Sequence, residues 1–203
     1  MKTRIALKWD GAPFHVHVND IPIAWKSLPF MLRNLGGDVE MGGWVFNQTY
    51  AVVYMVESRR WLLQYLPPSG LKGKTVLDVG AGCGETAKFF IENGAAGVIC
   101  IEPDEEAYSY LLRNSLRHPE VIPLKKLFEV EDLYRIPHDF LKVDIEGYEM
   151  PMIDELDRYR GPCSIETHNK YVTDKFMARG FKPALPLKRN YQAQGDTPVL
   201  TRW

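Results

Sequence analysis

The sequence predicts an α/β fold: a doubly wound, mostly parallel sheet with an antiparallel last strand, preceded by an N-terminal hairpin-and-helix cap. Three observations predict it. From residue 73 onward, short apolar runs alternate with longer amphipathic ones, the pattern of strands joined by crossover helices. The runs TVLDV, GVICI and FLKVDI are apolar at successive positions rather than at every second one, as strands covered on both faces are. The first of them opens directly into a glycine-rich loop, GAGCGE, with a helix pattern after it.

Size and composition set the frame. A chain of 203 residues suits one domain with a modest extra element and buries a core without metals or disulfides. Hydrophobic residues are 45% and charged residues 25%, an ordinary globular balance. A net charge of −1 advertises neither a nucleic acid nor an anionic membrane. The basic clusters Arg59-Arg60, Lys125-Lys126 and Lys188-Arg189 are short and read as solvated faces. Cys83, Cys100 and Cys163 are odd in number and lack a CxxC spacing, which excludes a disulfide framework and a zinc knuckle. No apolar run reaches about 18 residues, so the expectation is a soluble, cytoplasmic protein without a membrane segment.

The elements follow in order. RIALKW and PFHVHV flank DGAP as a β-hairpin. Residues 21 to 46 show no clear period, and LGGDVEMGGW is expected to be a loop free to move. A helix starts near Asn47 and runs through NQTYAVVYMVESRRWLLQYL until Pro67-Pro68 stops it. Residues 1–69 therefore form the cap and residues 70–203 the core. In the core, VLDVG is a strand and ETAKFFIENG a helix closed by Gly94. GVICIEP is the second strand. DEEAYSYLLRNSLRH is a helix whose acidic first turn suits the helix dipole. VIPLKKL, DFLKVDIEG and CSIETH are further strands, with helices EMPMIDELDRYRG and KYVTDKFMARG after the last two. FKPALPLK and TPVLTRW close the sheet as an antiparallel pair. In such sheets ligands bind beyond the carboxyl ends of the strands, where the winding reverses.

Four stretches carry chemistry. In VLDVGAGCGE the glycines Gly80, Gly82 and Gly84 depart from the dinucleotide pattern G-x-G-x-x-G, with Glu85 where its third glycine belongs. Asp78 precedes the loop, where its charge would repel a pyrophosphate and suit a cationic ligand. Glu102 ends the second strand twenty positions after Gly82, where an acid can accept hydrogen bonds from both ribose hydroxyls. DFLKVDIEGYEMP sets Asp144, Glu146 and Glu149 around Gly147 at a strand end. Glu149 falls in the first turn of the expected helix and reads as its cap. Asp144 and Glu146 are two apart and share one side of the chain, as do Glu166 and His168 at the next strand end. Such carboxylates hold a cation or orient a hydroxyl. His168 is a candidate general base, since a neutral imidazole is available near pH 7. The cluster would also suit Mg or Mn, but no residue is assigned as a metal ligand. His15 and His17 read as solvated. Trp44, Phe46, Tyr50, Tyr54 and Trp61 form either helix packing or an aromatic wall over the ligand.

VLDVGAGCGE with ICIEPDEEAYSYLLRN resembles the first two motifs of class I S-adenosylmethionine-dependent methyltransferases. FLKVDIEGYE resembles the Lys-x-Asp-x-Glu-Gly strand end of the FkbM-like members, and Ile101-Glu102-Pro103 is similar to theirs. The resemblance spans residues 70 to 182. The N-terminal third matches no motif of that family, and no residue framing an adenine is identified. The resemblance implies a Rossmann-like fold and S-adenosylmethionine as methyl donor. It implies that Asp78, Gly80, Ala81 and Gly82 surround the methionyl part and that Glu102 and Pro103 meet the ribose. Asp144 would face the donor, and Glu146 and His168 the acceptor, all three taking part in catalysis. The implied reaction is O-methylation of a hydroxyl on a small molecule or sugar. One alternative is an RNA methyltransferase, opposed by the absent basic surface and by Asp-Ile-Glu-Gly in place of an Asn-Pro-type strand end. Another is a non-catalytic donor-binding protein, which only turnover separates.

Overall fold

The computed structural model describes residues 4–8, 15–18, 21–24, 27, 30, 37–57, 61–155, 158–187 and 197–203. The chain opens with β1 (Arg4–Lys8), β2 (His15–Val18), β3 (Ile21–Ala24), β4 (Asp38–Met41) and β5 (Trp44–Phe46), which form one sheet in the order β3-β2-β1-β4-β5. Next come α1 (Gln48–Glu57) and a 3-10 turn, Leu62–Tyr65. The remaining strands are β6 (Thr75–Val79), β7 (Gly97–Ile101), β8 (Val121–Leu124), β9 (Phe140–Val143), β10 (Cys163–Glu166), β11 (Lys182–Pro183) and β12 (Val199–Arg202). They form a second sheet in the order β11-β12-β10-β9-β6-β7-β8. Between them lie α2 (Glu85–Glu92), α3 (Glu105–Ser115), α4 (Asp132–Arg135), α5 (Met152–Glu155) and α6 (Lys170–Ala178). Strands β6 to β10 run parallel, and β12 is antiparallel to both its neighbours. This is the α/β, Rossmann-like sheet with an antiparallel last strand that the sequence predicts.

The apolar runs are continuous because each strand serves two cores. Val76, Val98, Cys100 and Phe140 face one side, against Phe90 of α2, Leu111 of α3 and the aromatic pair Trp44 and Phe46 of β5. Leu77, Val79, Leu141, Val143 and Ile165 face the other, against Met152, Val172 and Phe176. The side-chain period of two sends neighbours in sequence to opposite cores. All three cysteines are free and buried.

The first hairpin forms between β1 and β2, with Leu7 opposite Val18; its connecting residues 9–14 and the side chains of His15 and His17 lie outside the described residues. LGGDVEMGGW is not a loop. It holds the hairpin β4–β5, turned at Gly42 and Gly43 with φ of 55° and 87°, the positive values that a two-residue primed turn requires. Val39 and Met41 alternate with Asp38 and Glu40, but over four residues only, and Trp44–Phe46 is buried throughout, which hid the pair in the sequence. Buried Asn114 of α3 anchors this hairpin: Oδ1 accepts from the Val45 amide at 2.7 Å, and Nδ2 donates to the Val45 and Cys83 carbonyls at 2.9 and 3.0 Å. Of the long helix expected after Asn47 the described residues show α1 and the 3-10 turn, and of the helix expected over EMPMIDELDRYRG they show the single turn α5. Among the described residues no helix is long and apolar enough to cross a membrane.

Candidate active site

The winding reverses at β6, and beyond the carboxyl ends of β6, β7 and β9 lies a cavity of about 490 Å³. Its floor is the loop after β6. Gly80 has φ of 75°, and a Cβ there would fall 1.7 Å from the Asp144 carbonyl oxygen, so only glycine lets this loop lie against the end of β9. At Gly82 a Cβ would fall 2.5 Å from Tyr50 Cε1.

Beneath the loop is a buried ion pair. Asp78 and Lys142 stand opposite each other on β6 and β9, with Nζ 3.0 Å from Asp78 Oδ1; the side chains are 0% and 1% exposed. Lys142 also donates to the Gly80 carbonyl at 2.8 Å and lies 4.0 Å from Asp144 Oδ2. Thr86 donates to the other oxygen of Asp78. Burial opposes the charge on Lys142, but Asp78 and Asp144 outweigh it and hold the ammonium above its ordinary range. Asp78 thus supports the loop from below and does not line the cavity; Ala81 is likewise packed in the core.

On the β7 side, Glu102 accepts from the Gly82 amide at 2.8 Å and from the Asp104 amide at 2.8 Å, one on each oxygen. Burial raises its pKa, and the amides of Asp104 and Gly82 work against that rise. A carboxylate has about four acceptor positions, so two remain for a ligand. Pro103 lines the cavity next to it. Glu85 also lines it: burial pushes its carboxyl up to about 8, and Oε2 has no hydrogen-bond partner among the described residues. Leu127, Phe128 and Val130, which follow β8, supply an apolar wall that the sequence did not reveal. Of the five aromatic candidates only Tyr50 lines the cavity. Trp44 and Phe46 stack on each other, Tyr54 donates to Glu92 and Trp61 to Glu166.

On the β9 side, Asp144, Glu146 and His168 come together as the strand order requires, since β9 and β10 are parallel neighbours. Nε2 of His168 lies 3.5 Å from Asp144 Oδ1 and 3.6 Å from Glu146 Oε2. Glu146 takes φ of 50°, uncommon for a residue with a side chain, and its side chain is 86% exposed. Nδ1 of His168 lies 2.7 Å from Oε1 of Glu149, which has no exposed surface. Burial disfavours the imidazolium, but the Glu149 hydrogen bond and the charges of Asp144, Glu149 and Glu166 raise its pKa to about 9. The neutral imidazole expected near pH 7 is therefore replaced by a cation, because four carboxylates surround the ring. Burial raises Asp144 to about 7, with Lys142 and His168 pulling it down and Glu166 and Glu146 pushing it up. Glu166 is turned away from the cavity and accepts from Trp61 Nε1 at 3.2 Å, from Tyr65 and from Thr197. Glu149 is not a cap of α5, which starts three positions later at Met152.

No family model and no curated relative matches this sequence. Among solved structures the chain is similar to the ribosomal protein L11 methylase from Lactobacillus delbrueckii subsp. bulgaricus, with 18% identity and a TM-score of 0.50 over 80% of this chain and 82% of that one. It is similar to the putative methyltransferase yhhF from Escherichia coli, with 15% identity and a TM-score of 0.48 over 76% and 83%. It is also similar to the precorrin-6y C5,15-methyltransferase from Geobacter metallireducens GS-15, with 15% identity and a TM-score of 0.48 over 77% and 88%. At 18% identity the likeness to the first of these is one of fold, the Rossmann-like α/β class.

Proposed function

We propose that the protein is a class I S-adenosylmethionine-dependent methyltransferase, FkbM-like in its Lys142-to-Gly147 strand end, that methylates a hydroxyl of a small acceptor. The observation that carries this is the set of carboxyl groups lining the cavity. Glu85, Glu102, Asp144 and Glu146 line it, and buried Glu85 Oε2 and Asp144 Oδ1 have no hydrogen-bond partner among the described residues. A ligand carrying an ammonium and a sulfonium complements these oxygens and favours their ionised form, whereas a pyrophosphate disfavours it. The glycine cradle at Gly80 and Gly82 fits the same ligand, since it brings backbone close to the cavity.

In this assignment Gly80, Gly82, Glu85 and Asp144 hold the methionyl part, and Asp78 and Ala81 act by shaping the loop. Glu102 and Pro103 meet the ribose, and Leu127 and Phe128 cover the adenine. When bound, S-adenosylmethionine supplies an electrophilic methyl group. The chain's task is then to orient the acceptor, exclude water and accept the hydroxyl proton. Asp144 faces the donor in this scheme, and Glu146 at the mouth meets the acceptor hydroxyl and takes its proton. His168 acts as the cation that holds both carboxylates. A small acceptor is favoured over RNA by the acidic cavity and by the pairing of Lys125 with Glu105 and of Lys126 with Glu129 and Asp132. Titration calorimetry with S-adenosylmethionine, S-adenosylhomocysteine and NAD tests the proposal. Binding of both methionine nucleosides and not NAD is expected; NAD binding with no heat from either nucleoside overturns it.

A further inference from the structure

The imidazole of His168 is engaged at both nitrogens, and the two ends differ in kind. Nδ1 meets Glu149 Oε1 at 2.7 Å, and Glu149 is 0% exposed. Nε2 faces Asp144 at 3.5 Å and Glu146 at 3.6 Å, both on the cavity wall. The same Glu149 oxygen accepts from the Gly147 amide at 2.9 Å. One buried carboxylate therefore ties the end of β10 to the turn that carries both cavity carboxylates. The other charged groups nearby have partners of their own. Glu166 Oε1 lies 3.9 Å from Nε2 and accepts from Thr197, and Lys142 is paired with Asp78. A carboxylate on one ring nitrogen selects the tautomer and ring orientation and leaves the other nitrogen outward. A glutamate that merely closed the turn would need the Gly147 amide and nothing more.

We propose that Glu149 is a positioning residue: it fixes His168 with Nδ1 inward and Nε2 toward Asp144 and Glu146, and through that ring sets these two carboxylates on the cavity wall. This deepens the methyltransferase reading, but the ring's orientation can be tested without donor or acceptor.

The experiment is long-range proton–nitrogen NMR on the full chain labelled at histidine nitrogen, for the wild type, Glu149→Gln and Glu149→Asp, with donor titration alongside. In the wild type the neutral form of His168 should carry its proton on Nδ1. In Glu149→Gln the titration midpoint of His168 should fall by about 1–3 pH units, and Glu149→Asp should recover part of this. Turnover of a hydroxyl acceptor in Glu149→Gln should fall about 10–100-fold. A wild-type neutral form protonated on Nε2, or a midpoint unmoved in Glu149→Gln, overturns the proposal even if the donor binds. If Glu149→Gln does not fold, the wild-type tautomer and Glu149→Asp decide. Absence of donor binding with the expected tautomer and midpoint leaves Glu149 as the positioner of His168 and overturns the methyl-transfer reading instead.

Discussion

Lys142→Met keeps the length of the side chain and removes its charge from the interior. In the native protein Nζ lies 3.0 Å from Asp78, which has no exposed surface, and 2.8 Å from the Gly80 carbonyl. The substitution leaves the Asp78 carboxyl in the core with only the Thr86 hydroxyl as its side-chain partner. Removing one partner of a buried pair costs about 3–5 kcal/mol, and neither side chain is exposed enough for solvent screening to reduce this. In a chain of this size each kcal/mol moves the melting temperature by about 2–4 °C, so a drop of about 6–20 °C is expected. Adding Asp78→Asn removes the orphaned charge while leaving a group that can meet Thr86, and it should restore most of the loss. Thermal and urea unfolding followed by circular dichroism, with the double-mutant cycle completed by Asp78→Asn alone, measure both effects. A loss below about 1 kcal/mol in Lys142→Met, or a double variant no better than Lys142→Met, would refute the claim that this pair supports the loop.

Gly80→Ala should cut donor affinity by more than about tenfold by calorimetry, because its Cβ must displace the Asp144 carbonyl 1.7 Å away and the residue must keep a positive φ. Glu102→Gln should lose about 1–3 kcal/mol of donor affinity, and an unchanged dissociation constant removes Glu102 from the site. Stability without ligand should fall as pH rises. Glu85 at about 8, Asp144 at about 7 and His168 at about 9 all bind protons more tightly folded than unfolded. The stabilisation from each is complete below its unfolded pKa and lost as pH climbs through its folded one, so melting temperatures should decline from about pH 5 to about pH 9. A flat or rising curve contradicts these environments. In Asp144→Asn, donor affinity should weaken and lose its rise with pH near 7, measured by calorimetry at several pH values.

The order of the strands after residue 73, the helices α2, α3 and α6, the glycine loop and the acid at the end of β7 are legible in the sequence because each is a local signal; the single turn α4 is too short to give one. Apolar runs report burial, glycines report backbone that needs positive φ, and Glu102 stands at a readable distance from Gly82. The rest is non-local. Asp78 looked like a ligand for the donor, yet the register of β6 against β9 sets it opposite Lys142 and commits it beneath the loop. Glu149 looked like a helix cap, yet the chain turns so that it meets His168 nineteen positions later. Tyr50 reaches the cavity from α1, and Leu127 and Phe128 from beyond β8, through packing that no periodicity encodes. The charge of His168 is hidden from the sequence for the same reason. A side chain's pKa is set by what stands around it, and the four carboxylates around this ring come from two strand ends that are neighbours only in the folded sheet.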